Sequence, residues 1–217
     1  MSTVTSLLTY PRRRDDWYVG LAVGGVCLAL AALLVPLVVV YGYLIRVART
    51  IMDGSATPPG FEDPIALLVD GVRGWIIGFV YLLVPLLVGG LTVGGAVRAL
   101  VAGGEIGQVI GFWTLFVGGF VTLVVTIAFG YLGVAAVLAF ARTGRFESAF
   151  APGHVLRVTR SRPFARAYVG ALALASAGLA VTAVPIVGWL LGPFALWYMT
   201  IVAMAVLASA HVDLVDR

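Results

Sequence analysis

The sequence predicts an all-α fold, a polytopic integral membrane bundle of about five spanning helices joined by amphipathic connectors at the interface. Three observations lead there. Of 217 residues, 61% are hydrophobic and only 11% charged, whereas soluble domains carry about 25% charged residues. The mean hydropathy is +1.07. The charged residues are also confined to the stretches between long apolar runs, so a polar outer surface for a soluble domain of this size is missing.

The N-terminal tail, residues 1–16, reads "MSTVTSLLTYPRRRDD" and places its charges after a polar start. No small-residue cleavage pattern closes a short apolar core there, so no cleavable signal is expected. Five apolar segments follow, from about Trp17 to Ile45, Trp75 to Val97, Val109 to Phe140, Phe164 to Val184 and Val187 to Ala210. Each reaches the ~20 residues that a spanning helix requires. Trp17, Tyr18, Tyr41, Tyr43 and Trp75 lie near segment ends, where amphipathic rings settle at the membrane surface.

The first segment is too long for a simple span. Its residues from Trp17 to Ile45 make roughly 44 Å of helix at ~1.5 Å per residue, against about 30 Å of hydrocarbon. The segment therefore tilts, kinks or re-enters. Pro36 interrupts it, as Pro85 interrupts the second and Pro185 the junction of the fourth and fifth. An interior proline removes a backbone hydrogen bond and bends a helix. Glycines four apart recur at Gly20, Gly74, Gly90, Gly107 and Gly188, each aligned on one helix face for close helix approach. Packing within the chain is the expectation, with dimerisation through one such face as the other use.

Connectors at residues 46–74 and 141–163 complete what reads as one transmembrane domain, 1–217. Each offers arginines after a span, then an aromatic and a proline, then a short amphipathic run ending at an aromatic: Arg46, Arg49, Phe61, Pro64 and Trp75 in one, Arg142, Arg145, Phe150, Pro152 and Phe164 in the other. The order suggests a loose duplication.

Arginine counts near span ends orient the chain. With five full spans, ten arginines lie on the side of the connectors (Arg217 included), and Arg12, Arg13, Arg14 and Arg98 lie opposite. The connectors are then cytoplasmic, and the cluster "PRRRDD" is misplaced. If the first segment instead bends at Pro36 and returns as a re-entrant hairpin, the tail joins the connectors and only Arg98 is left opposite. The limb from Leu37 to Arg49 is short for a full span, so five spans are the primary expectation and the hairpin the alternative.

Candidate chemistry is sparse. No Asp, Glu, Arg or His lies in the interior of the five segments, Arg166 being at the start of the fourth, which argues against a carrier or channel working through intramembrane carboxylates. His154 and His211 are the only histidines and Cys27 the only cysteine, with no metal-ligand spacing among them. Both histidines read as interfacial. No nucleophile elbow, phosphate loop or zinc-protease motif occurs, so neither an enzyme nor a cofactor is expected.

Arg142, Arg145, Arg157, Arg160, Arg162 and Arg166 are the candidate site. Placed on a helix, Val155, Leu156, Val158 and Thr159 share one face, with Arg157 and Arg160 on the other. Attraction of anionic lipid is worth about 1 kcal/mol per basic residue near a membrane surface. The expected contact is thus the anionic headgroups of a cell membrane, in which the chain is multi-pass, and not nucleic acid. A partner membrane protein or a homo-oligomer is compatible with the same surface.

Four stretches, "YPRRRDDWYVGLAVGG", "VPLVVVYGYLIRVARTI", "TPPGFEDPIALLVDGVRGWIIGFVYLLVP" and "FAPGHVLRVTRSRPFARAYV", resemble the four-thousand-and-thirteen domain-of-unknown-function family. Its members are polytopic membrane proteins found largely in archaea, especially salt-loving ones. The run from Pro58 to Trp75 is the most specific part of the likeness. The resemblance implies membrane placement and brings no activity, cofactor or catalytic residue. From the residues themselves, the expected function is a non-enzymatic membrane scaffold or accessory subunit, with a transporter or lipid-handling protein as the alternative.

Overall fold

The structure, a computed structural model, describes residues 4–215. Among these it is all-α, with no strand. In chain order the helices are α1 (Val4–Leu8), α2 (Trp17–Ala29), α3 (Val35–Met52), α4 (Pro64–Ala102), α5 (Gly104–Thr143), α6 (Pro152–Thr159), α7 (Arg162–Thr182) and α8 (Val187–Val215). Five of them, α3, α4, α5, α7 and α8, are long and apolar enough to cross a membrane. Arg217 lies outside the described residues.

The first apolar segment is two helices, in place of the single continuous span expected. Between α2 and α3 the chain makes a 3₁₀ turn at Ala31–Leu33 and passes through Leu34 at φ 61°, a conformation that L-residues rarely adopt. Pro36 explains the restart: inside a helix its ring would collide with the carbonyl four residues back, whereas in the first turn its missing N–H is no loss. The two helices fold back on each other, since Gly20 lies beside the Tyr43 hydroxyl. The fold-back of the hairpin alternative is thus present, while α3 by itself is one of the five candidate spans. Within the first connector, 46–52 and 64–74 are helical, as the ends of α3 and α4.

The chain forms two compact units, Met1–Ile76 with Ala135–Arg217, and Ile77–Val134. In the larger unit α8 is the central helix. It buries Trp197, Ile201, Val202, Ala205 and Ala208, and a cluster of Tyr10, Val40, Tyr43, Leu44, Val47 and Leu67 surrounds it from α3, α4 and the tail. The indole of Trp197 lies against Gly24 and donates to the Gly20 carbonyl at 3.1 Å, which fixes α2 on α8. α7 and α8 form a second hairpin through a turn at Ile186, also at positive φ, with Gly188 and Gly192 packed on Thr182.

One close helix crossing lies at glycines that the spacing did not single out. Gly42 of α3 lies on the Leu67 carbonyl and Gly71 of α4 on the Val38 carbonyl. A methyl on either would overlap backbone, so these glycines set the α3–α4 distance. Residues 135–141 at the end of α5 are buried without interruption, the mark of a helix surrounded by protein on every side.

The smaller unit is an antiparallel pair, the ends of α4 and α5 meeting at Gly103 and Gly104, the latter at φ 57°. Gly118 faces Thr92 and Gly89 faces Thr122 across the pair. The hydroxyls of Thr92, Thr114, Thr122 and Thr126 bond carbonyls four residues back in their own helices, so these side chains strand no polar group in the apolar surroundings. α4 continues through Pro85. Leu87, Leu91, Phe112, Phe116 and Phe120 face outward. Gly90 and Gly94 have open space before them and pack nothing, unlike the close approach expected there.

Candidate functional site

The most specific stretch of the sequence, from Pro58, builds one wall of a cavity of about 340 Å³ in the larger unit. Two prolines and Gly60 keep this connector extended and non-helical, and the helices around it hold it in place. Tyr43 donates to the Pro59 carbonyl at 3.2 Å and stacks its ring on Phe61 at 4.7 Å. Arg46 donates to the Glu62 and Asp63 carbonyls, and Asp63 caps the start of α4 by accepting from the Ala66 N–H at 3.1 Å. Arg46 and Arg49 of this connector are thus structural: Arg49 pairs with Asp70 at 2.9 Å and donates to the Ala141 carbonyl at 3.3 Å, joining the end of α3 to the end of α5.

The opposite wall is the N-terminal tail. Arg14 bridges Asp16 and Glu62, the second at 2.8 Å. Its hydrogen bonds to Glu62 and then Asp16 hold the guanidinium above its ordinary pKa, and the same bond holds the Glu62 carboxyl below the usual carboxylate range. Tyr10 donates to the Thr57 carbonyl at 3.4 Å; burial, helped by the neighbouring Tyr43, pushes its phenol upward. Arg13 donates to the Ala56 carbonyl. Trp17, Tyr43, Phe61 and Tyr198 contribute rings to the lining. The Arg12 guanidinium lies 5.5 Å from the centre of the Trp17 ring and 5.7 Å from that of Tyr198.

The six arginines expected to form the site are all exposed. Arg145 pairs with Glu147 at 3.2 Å, while Arg157 and Arg160 lie on and just after α6, and Arg162 and Arg166 on α7. Val155 and Val158 are buried as the helical pattern predicts, but Leu156 faces outward beside Arg157. α6 therefore presents an apolar residue among cations, with Phe150 exposed nearby. None of the six lies on the cavity, whose charged residues come from the tail and the first connector.

The structure also brings together the two histidines, whose rings are 5.7 Å apart in the larger unit. His211 is fully buried, and neither of its ring nitrogens nor Nε2 of His154 has a hydrogen-bond partner among the described residues. Burial, then the charges of Arg157 and Arg142, push His154 downward. No third metal-ligating side chain joins them among the described residues. They are 57 positions apart, and nothing in the sequence pointed to the pair.

A family model described as protein of unknown function (DUF4013) matches residues 26–192. The chain belongs to that family. The matched region begins inside α2 and ends inside α8, so it includes the α2–α3 turn, both connectors and the whole smaller unit. The cavity wall from Pro58 to Glu62 is within it, while the tail that completes the cavity precedes it. No curated protein and no solved structure matches the chain.

Proposed function

We propose that the protein is a non-enzymatic, multi-pass protein of the cell membrane that serves as a scaffold or accessory subunit, docking another membrane protein or a second copy through the apolar end of its larger unit. The supporting observation is the pair of turns at that end. Leu33, Leu34 and Val35 are 65%, 59% and 67% exposed, and Ile186 and Trp189 84% and 87%. No charged residue lies in either turn.

Depth supplies the physical reason. α2 has 13 residues, about 20 Å of helix, so a hairpin entering beside Asp16 and Arg46 stops within a hydrocarbon layer of about 30 Å. Non-helical backbone at that depth is tolerated where protein buries it. A photo-crosslinking side chain at Leu33 or Leu34 is expected to capture a reproducible protein partner in native membranes; capture of lipid alone would refute the reading.

The tail and both connectors face the cytoplasm in this proposal, with Arg157, Arg160, Arg162 and Arg166 lying against anionic headgroups. A lipid-handling role is the second reading. A groove of about 590 Å³ along α7 and α8 favours it, with Ala167, Gly170 and Ala173 on its floor and Arg166 and Asp213 near one end. Native mass spectrometry is expected to find lipid retained by the wild type and released by Gly170→Leu under that reading; equal retention would count against it.

A further inference from the structure

We propose that the cavity between the N-terminal tail and the first connector is a binding site for an organic cation, a quaternary ammonium group carried either by a lipid headgroup or by a small free cation. This goes beyond the scaffold reading and does not depend on it. Size comes first: about 340 Å³ is at the small end of ligand cavities, which run from ~300 to 1,000 Å³. The space suits a compact polar group with a short stem.

The lining then selects the charge. Its ionisable side chains with full charge are Arg14, Asp16 and Glu62, and the one guanidinium is already bonded to both carboxylates. The lining carboxylates thus outnumber the lining guanidinium by one, with Arg12 a further cation over the Trp17 and Tyr198 rings. An anion would have to break the bridge from Arg14, whereas a cation meets the Glu62 side chain, which is 76% exposed.

The rings supply the second requirement. Trp17, Tyr43, Phe61 and Tyr198 line the same space, and a cation within about 6 Å of an aromatic face is attracted by the ring quadrupole. Two of these rings already receive one. Arg12 lies over both Trp17 and Tyr198, so the chain itself uses them as cation acceptors. Recognition of a quaternary ammonium by clustered rings needs no hydrogen-bond acceptor, because such a cation spreads its charge over apolar methyl and methylene carbons.

Position accounts for the two possible sources. The cavity opens where a charged tail meets a charged connector, beside a hairpin that is apolar beyond Asp16 and Arg46. That is headgroup depth if the hairpin enters a membrane, and the site is also reachable from water.

The test uses the full-length protein in a maltoside detergent, which carries no ammonium. Choline, its uncharged isostere 3,3-dimethylbutan-1-ol, dihexanoyl phosphatidylcholine and dihexanoyl phosphatidylglycerol are titrated by calorimetry. Choline or the choline lipid is expected to saturate at least tenfold tighter than the isostere and the glycerol lipid. Tighter binding of choline assigns a small free cation; tighter binding of the choline lipid assigns a headgroup. Glu62→Gln is expected to weaken binding about fivefold or more.

Gly20→Val is the second variant, because Gly20 lines the cavity and a Cβ there lies 3.8 Å from both Phe61 and Tyr43. It occupies the space while leaving the ion pairs in place, and is expected to abolish binding with the melting temperature retained. Equal affinity for choline and the isostere, preference for the glycerol lipid, or no saturable binding of any ammonium compound would overturn the proposal.

Discussion

Alanine at Gly24 and alanine at Gly20 are one helical turn apart on α2, yet they are expected to change stability in opposite directions. At Gly20 a new methyl makes ordinary contact, 3.8 Å from Phe61 and Tyr43, and replacing helix-interior glycine stabilises by about 1 kcal/mol. At Gly24 the methyl falls inside the Trp197 indole, which is fully buried and cannot swing aside. Accommodating it means overpacking, at about 1–3 kcal/mol, and loss of the indole bond to the Gly20 carbonyl, at about 1 kcal/mol net. The helix-propensity gain offsets about 1 kcal/mol of this. Gly24→Ala should therefore lie roughly 2–4 kcal/mol below Gly20→Ala. At about 2–4 °C per kcal/mol for a chain of this size, that is on the order of 5–15 °C in melting temperature. Thermal unfolding in detergent, followed by size-exclusion chromatography of the surviving fraction, reads the difference. Equal melting temperatures would refute the packing of α2 on α8.

Three further outcomes follow from the same contacts. Replacing buried, unpartnered His211 by leucine removes stranded polar atoms and should raise stability by about 1–2 kcal/mol; a fall in melting temperature would mean that His211 has a partner. Changing Arg157, Arg160, Arg162 and Arg166 together to glutamine should reduce enrichment of anionic lipid in co-purified material, at about 1 kcal/mol per arginine, and the wild-type enrichment should weaken as salt rises. The Arg14–Glu62 bridge lowers the folded-state carboxyl pKa, so its contribution is present above the ordinary carboxylate pKa and is lost as pH falls through the depressed value. Acidification below about pH 4 should release the tail and change Trp17 fluorescence, and Glu62→Gln should show no such transition.

The helical, membrane-type architecture was legible because five apolar runs separated by charges admit little else. The fold-back of the first run was half legible. Its length and the misplaced Arg12, Arg13 and Arg14 both asked for it, but the turn lies at Leu34, ahead of Pro36, and positive φ at a leucine leaves no trace in composition. Gly42 and Gly71 escaped notice because their contacts are with backbone of a different helix, which spacing along one helix does not register. The cavity was legible only as an unusual string, "PPGFED". Its other wall is some 45 positions away in the tail, and only the fold brings Arg14 to Glu62. The arginines after Phe150 stand out in the sequence by density, and the structure leaves them exposed, away from the cavity.

Thiol accessibility in intact cells tests most directly whether the first apolar segment returns to the side it entered from. In a Cys27→Ser background, single cysteines replace Thr9, Ala56, Glu105 and Ser148, and a membrane-impermeant maleimide is added outside. Protection at positions 9, 56 and 148 together, with labelling at 105, is the predicted result. Labelling at position 9 with protection at 56 would contradict the hairpin and restore a single span.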